Sequence, residues 1–210
     1  MLTTKVIETG AADALSAAGQ VIRAGGLIAY PTDTVYGLAA DFRNADAIEN
    51  IYAAKDRDSR KPVAILVGSS DQLELVMQEL TPGAARLAAR FWPGALTLIV
   101  PRRSDLPENL SPYMTIGVRM PNHPWALQLL RELGPLATTS ANLSGQPDAV
   151  TAQDVLRYLD GRVDLVLDGG RCPGGVPSTV VDCTSTEPRI LREGALTAKQ
   201  ILLAWGDPEA

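Results

Sequence analysis

Helix-period stretches alternate with short aliphatic runs along almost the whole chain, and Gly or Pro stands at nearly every junction. The run 27–31 (LIAYP) precedes the amphipathic stretch 44–55, and the run 62–67 (PVAILV) precedes the amphipathic stretch 69–80. We expect 69–80 to form an α-helix that begins at a Ser cap and buries its Leu, Val and Met side chains. The alternation predicts an α/β fold.

Composition favours one ordinary globular unit. The chain has 210 residues, of which 46% are hydrophobic and 20% are charged, so it can bury a sizeable core. We therefore predict a single domain over 1–210. No run of about eighteen apolar residues occurs, and the N-terminus lacks the basic start and apolar core of a signal peptide. We expect no membrane contact and a cytoplasmic location.

The scarcity of Cys and His excludes several kinds of site. Only Cys172, Cys183 and His123 are present, which nearly excludes a Cys/His metal site, and the sequence assigns no residue as a metal ligand. His123 stands just before an amphipathic stretch, where we expect it to begin a helix. The formal net charge of −5 argues against a stand-alone nucleic-acid binder, because such proteins need a broad basic face. A local basic pocket remains compatible with this charge.

Four cations crowd into residues 55–61 (KDRDSRK) of this acidic chain. Lys55 shares a helical face with Ile48, Ile51 and Tyr52, so it projects from the last turn of a helix. Neither common Gly-rich phosphate-binding motif is present. Side chains must therefore hold any bound phosphate, and clustered Arg and Lys suit that task. A solvated loop of mixed charge explains the same residues.

Three further segments place polar side chains next to predicted strands: 30–41 (YPTDTVYGLAAD), 138–142 (TTSAN) and 174–182 (GGVPSTVVD). In open α/β sheets such positions meet ligands, although turns closed by their own side chains look the same. Arg119 and Arg192 lie in predicted strands. Each needs an anion, either from the protein or from a ligand.

Several short motifs follow one another along the chain: PTDTVYGL, KDR, KP, FWPGALTL, VRMP, SAN, STVVD and LREG. In this order they resemble the YrdC family of threonylcarbamoyl-AMP synthases, and the resemblance runs from about Gly25 to Gly194. It implies an open, twisted mixed sheet with flanking helices and a concave basic cavity.

The resemblance also implies a reaction. L-Threonine, bicarbonate and ATP would give threonylcarbamoyl-AMP and pyrophosphate, with Mg²⁺ on the ATP and no tightly bound cofactor. The product would serve threonylcarbamoyl-adenosine modification of tRNA, which the chain would reach indirectly through a partner protein that transfers the threonylcarbamoyl group.

Matching motifs assign roles to single residues. Lys55 and Arg57 would be catalytic. The ATP-binding residues would be Lys55, Arg57, Lys61, Ser140, Asn142 and Arg192. The threonine-binding residues would be Thr32, Thr34, Arg119, Thr138 and Ser178.

One position departs from the family pattern. Many relatives carry His in the strand after KP, near the threonine, where this chain has Leu66, so part of the amino-acid pocket must differ. Two alternatives to the synthase stay open: a non-catalytic RNA-binding protein of the same fold, and a carbamoyl-adenylate-forming domain.

Overall fold

The computed structural model describes residues 3–206, which form one ten-stranded sheet with flanking helices. The strands β1 to β10 are, in chain order, Lys5–Glu8, Ile28–Tyr30, Gly37–Asp41, Ala64–Leu66, Leu96–Pro101, Thr115–Arg119, Leu136–Ser140, Leu165–Asp168, Thr179–Asp182 and Arg189–Arg192. They lie in the order β1-β8-β2-β3-β7-β4-β6-β5-β9-β10. The sheet is mixed, since β4 pairs parallel with β6 and antiparallel with β7. The predicted α/β fold with an open mixed sheet is confirmed.

Helix boundaries follow local capping signals. The helices α1 to α6 are Ala14–Arg23, Ala45–Lys55, Pro82–Phe91, Pro124–Leu133, Ala152–Leu159 and Ala198–Gly206. The Thr151 hydroxyl and the Asp154 carboxylate form a capping box at the start of α5. His123 begins α4 as predicted, because its Nδ1 accepts a hydrogen bond from the Ala126 N–H at 3.3 Å.

The two faces of the sheet are covered unequally. Side chains alternate between the faces along each strand. On one face α2, α3, α5 and α6 pack against a large apolar core. On the other face α1 and α4 cover only β2, β3, β4, β7 and β8. The remaining part of this second face, over β4, β6, β5 and β9, forms the floor of a cavity.

The predicted α-helix over 69–80 is wrong. Only Ser70–Leu75 is helical, and it is a 3₁₀-helix. The Gln72 side chain accepts from the Gly68 N–H and donates to the Leu130 carbonyl, each at 2.8 Å, which ties this short turn to α4. Met77 then forms a β-bridge with Arg102. The apolar spacing is that of a helix, but tertiary hydrogen bonds fix a shorter turn.

No helix within residues 3–206 has the length and apolar character needed to cross a membrane. Residues 1, 2 and 207–210 of the predicted single domain lie outside the described part of the chain, so its full extent stays a prediction.

Candidate functional site

A cavity of about 350 Å³ occupies the uncovered part of the sheet. Its floor is apolar and is formed by Ala64, Ile99, Gly117 and Val180, all on the face opposite the large core. A Cβ at Gly117 would lie 3.2–3.3 Å from atoms of three neighbouring side chains. Because glycine has no side chain to project into the cavity here, a flat apolar group can approach the backbone of β6.

At one end of the cavity, Arg119 is held by the protein itself. Its side chain is buried, with 6% exposed. The guanidinium donates to Asp33 Oδ1 at 2.5 Å, to Thr34 Oγ1 at 2.9 Å and to the Gly94 carbonyl at 2.9 Å. Burial lowers the pKa of Arg119, and the negative charge of Asp33 opposes that effect. Arg119 thus forms an internal ion pair with Asp33, and its side chain also lines the cavity.

Hydroxyl groups surround Arg119. Thr32 Oγ1 lies 3.0 Å from Thr34 Oγ1 and donates to the Val35 carbonyl at 2.7 Å, so the turn after β2 is closed by its own side chains. Thr138, on β7, also lines this end and lies 3.3 Å from the Tyr30 hydroxyl. The structure thus brings Thr32, Thr34, Thr138 and Arg119 together, as predicted.

Ser178 and Arg192 approach from the far strands. The Ser178 hydroxyl lies 2.8 Å from the Thr97 hydroxyl. Arg192, exposed on β10, donates from Nε and Nη2 to the Ser178 carbonyl at 3.2 and 2.9 Å. Both residues line the cavity. Thr97 was not predicted, although its place two residues before Ile99 on β5 puts it on the same face.

The charged segment 55–61 divides into two parts. Arg57 lines the cavity, where its Nη2 donates to the Pro62 carbonyl at 3.0 Å and its Nε is buried with no hydrogen-bond partner in the described residues. Arg60 is exposed and pairs with Asp58 at 2.7 Å. Lys61 is exposed and is not among the lining residues. The solvated-loop interpretation therefore fits the second part of the segment, and the anion-site interpretation fits Arg57.

Lys55 lies behind the cavity. Only 1% of it is exposed. Its Nζ donates to the carbonyls of Ser140 and Asn142, and to Asn142 Oδ1 at 3.3 Å. Burial, reinforced by the positive charge of Arg57, lowers the pKa of Lys55 to about 7. Ser140 lines the cavity, whereas Lys55 and Asn142 support it from beneath.

Comparisons with known proteins identify the family and agree with the fold. The family model named Sua5/YciO/YrdC, described as telomere recombination, matches residues 20–194. The chain belongs to the Sua5/YciO/YrdC family. It is 44% identical over 193 residues to the threonylcarbamoyl-AMP synthase of Bacillus subtilis, covering 89% of this chain and 55% of that protein. It is 42% identical over 193 residues to a putative threonylcarbamoyl-AMP synthase of Mycobacterium tuberculosis, covering 91% and 88%.

Solved structures of Sua5/YciO/YrdC proteins share the fold. Pyrococcus abyssi Sua5 complexed with L-threonine matches with a TM-score of 0.89 and 37% identity, over 98% of this chain and 61% of that chain. Escherichia coli YciO matches with a TM-score of 0.83 and 28% identity, over 96% and 99%. The chain thus spans about half the length of the B. subtilis and P. abyssi synthases that it matches.

The sequence motifs of this Sua5/YciO/YrdC protein assign no role to the cavity residue Leu66 and do not identify the cavity residue Asp148. Leu66 lines the cavity beside its register partner Arg119, so the departure from the family pattern falls next to Arg119. Asp148 also lines the cavity and had no motif to identify it. Its place six residues after Asn142 was the only available signal.

Proposed function

We propose that the chain makes threonylcarbamoyl-AMP from L-threonine, bicarbonate and ATP, with release of pyrophosphate. One observation carries this proposal: a single cavity combines the buried guanidinium of Arg119 among hydroxyls with two further guanidiniums, those of Arg57 and Arg192, over an apolar floor. Each of these parts matches one part of the product.

The amino-acid end would bind threonine. Arg119 offers its remaining N–H groups to the α-carboxylate in a planar fork. Thr32, Thr34, Thr138 and Ser178 provide hydroxyls that can bond the amine or the hydroxyl of threonine. The solved complex of P. abyssi Sua5 with L-threonine supports this assignment.

The nucleotide end would bind ATP. Arg57 and Arg192 supply the cations that face the cavity, and the exposed Lys61 is placed beside the rim residue Pro62. Ser140 contributes a hydroxyl, while Lys55 and Asn142 fix the loop that carries it. The apolar floor over Gly117 suits the flat base.

The chemistry then needs positioning more than a covalent helper. The ammonium of threonine first loses a proton, and the resulting amine and bicarbonate then combine to a carbamate with loss of water. A carbamate oxygen attacks the α-phosphorus, the bond from that phosphorus to the bridging oxygen breaks, and pyrophosphate leaves. Negative charge grows between two anions, and fixed guanidiniums aimed at it stabilise the transition state. No histidine or thiolate is required, consistent with His123 capping α4 and both cysteines being buried.

Magnesium would accompany the triphosphate. Within residues 3–206 no three His, Cys, Asp or Glu side chains come together as a metal site. The phosphates must therefore supply most ligands of the ion, which is the usual situation for Mg²⁺ on nucleotides. The product would pass to a partner protein that transfers the threonylcarbamoyl group to tRNA, and we place the reaction in the cytoplasm because tRNA is the final acceptor.

The test is pyrophosphate release by the purified chain supplied with MgATP. Release should require threonine and bicarbonate together, and omission of either should reduce it to background. Release without threonine would favour the carbamoyl-adenylate alternative. Tight, salt-insensitive RNA binding with no pyrophosphate release would favour the RNA-binding alternative.

A further inference from the structure

Asp148 is the one carboxylate among the described residues that line the cavity. It is half-buried, and within residues 3–206 its side chain has neither a hydrogen bond nor an ion pair. Most other acidic groups near the site are engaged: Asp33 holds Arg119, for example. A carboxylate that lines a ligand cavity without a protein partner is available to contact a positively charged ligand.

The backbone around Asp148 is held on both sides. The Asn142 side chain donates to the Gln146 carbonyl at 2.6 Å. The Tyr36 N–H donates to the Ala149 carbonyl at 2.8 Å, and Cys172 N–H donates to the Val150 carbonyl at 2.9 Å. Because Asn142 is in turn bound by the buried ammonium of Lys55, the segment that carries Asp148 is fixed against the same support as Ser140.

Asp148 lies on the same side of the cavity as Ser140, because the Tyr36 backbone bonds both segments: its N–H donates to the Ala149 carbonyl and its carbonyl accepts from the Ala141 N–H, each at 2.8 Å. Asp148 lines the cavity with Ser140, Arg57 and Arg192. Burial lowers the pKa of Arg192, and the negative charge of Asp148 opposes that effect. Asp148 therefore shares the cavity with the cations that are proposed to bind phosphates, where a bare carboxylate would repel a triphosphate.

We propose that Asp148 is the protein's carboxylate ligand for the Mg²⁺ ion of bound ATP. This inference rests on the proposed function. Mg²⁺ is usually bound by one or two carboxylates together with substrate phosphates and water. A single carboxylate near the phosphates fits that donor set. An Mg²⁺ ion between the carboxylate and the triphosphate would also remove the repulsion between these two anions. The ammonium of threonine is a second cation that Asp148 can meet, and the experiment separates the two.

The experiment is calorimetric titration of α,β-methylene-ATP, which resists cleavage at the α-phosphorus, and separately of L-threonine, each in buffers with MgCl₂ and with EDTA. The proteins are wild type, Asp148→Asn, Asp148→Glu and the control Glu193→Gln, which removes an exposed carboxylate next to Arg192 that does not line the cavity. Changing even a partner of a metal ligand costs about 10–100-fold in metal affinity. The gain in nucleotide affinity caused by Mg²⁺ should therefore fall at least about tenfold in Asp148→Asn. Affinity in EDTA should stay level or rise in that variant, because a like charge has been removed.

The control Glu193→Gln should keep the wild-type gain, and Asp148→Glu should keep part of it. An unchanged Mg²⁺-dependent gain in Asp148→Asn would overturn the inference. Weaker threonine binding in Asp148→Asn with the gain intact would also overturn it and assign the carboxylate to the amine. If wild type bound the analogue in neither buffer, the proposed function itself would fail, and the inference with it.

Discussion

Replacing Arg119 by lysine tests how the amino-acid end of the cavity binds a carboxylate. A guanidinium has five N–H groups, and three of those on Arg119 donate to Gly94, Thr34 and Asp33. Two N–H groups, one on each terminal nitrogen, are left for the two oxygens of one carboxylate. Lysine keeps the charge but cannot donate from two fixed nitrogens. Arg119→Lys should therefore lose one of two charge-assisted hydrogen bonds to threonine.

The size of the effect follows from that loss. A hydrogen bond to a charged group contributes about 1.5–3 kcal/mol. Since about 1.4 kcal/mol is a factor of ten in a binding constant, threonine affinity should fall roughly tenfold to 150-fold. Affinity for an ATP analogue should change little, because Arg119 pairs with Leu66 at the end of β4, whereas Arg57 binds Pro62 before the start of that strand.

The assay is calorimetric binding of L-threonine and of α,β-methylene-ATP, with thermal unfolding measured in parallel. Arg102→Lys is the matched control, because Arg102 is also buried, with 5% exposed, and its guanidinium donates to backbone carbonyls away from the cavity. That control should lose stability and keep threonine affinity. Unchanged threonine binding in Arg119→Lys, or equal losses of affinity for threonine and nucleotide, would show that the ion pair of Arg119 with Asp33 has only a structural role.

Three further predictions follow from the same site. Arg57→Ala should slow adenylate formation by about tenfold to a hundredfold, the worth of one charge-assisted bond, whereas Arg60→Ala, from the solvated part of the same segment, should leave the rate near wild type; equal effects would disprove the division. Serine should support pyrophosphate release at a disadvantage of only about 1–3 kcal/mol, since one methyl group supplies no more, and valine should fare worse if a buried polar group binds the hydroxyl; equal rates for all three amino acids would contradict this pocket. Burial lowers the pKa of Lys55 from 10.5 to about 7, so the folded state binds fewer protons than the unfolded state between these two pH values. The free energy of unfolding should therefore rise with pH across that window. The part of this rise that Lys55 causes should be absent in Lys55→Met. Urea unfolding of both proteins from pH 7 to 10 would show parallel curves if Lys55 titrated normally.

Much of the fold was predictable because local signals and tertiary packing agree. The capping box at Thr151 and the His123 cap each mark a helix start that the structure contains. The strand Gly37–Asp41 was missed, because its short, small residues lack the β-branched pattern that identifies strands. The stretch 69–80 was misjudged, because the hydrogen bonds of the Gln72 side chain join segments far apart in sequence.

Most of the predicted site residues line the cavity, but Lys55, Lys61 and Asn142 do not, and the sequence could not predict how these residues are arranged. Helical spacing put Lys55 on the same face as Ile48 and Ile51, which is the buried face of α2, but spacing cannot reveal that its ammonium meets the loop 140–142. Asp148 carries no motif, and only the fold of the loop between β7 and α5 brings it to the cavity. Contacts between distant segments decide both cases.

The most direct test of the central claim is the identity of the nucleotide product. The purified chain would be incubated with MgATP, L-threonine and ¹³C-labelled bicarbonate. The nucleotides would then be separated and their masses measured by mass spectrometry. The account predicts an AMP adduct that contains both threonine and the labelled carbon, formed in equal amount to pyrophosphate. An adenylate that carries threonine without the label, or no adenylate while ATP is consumed, would contradict it.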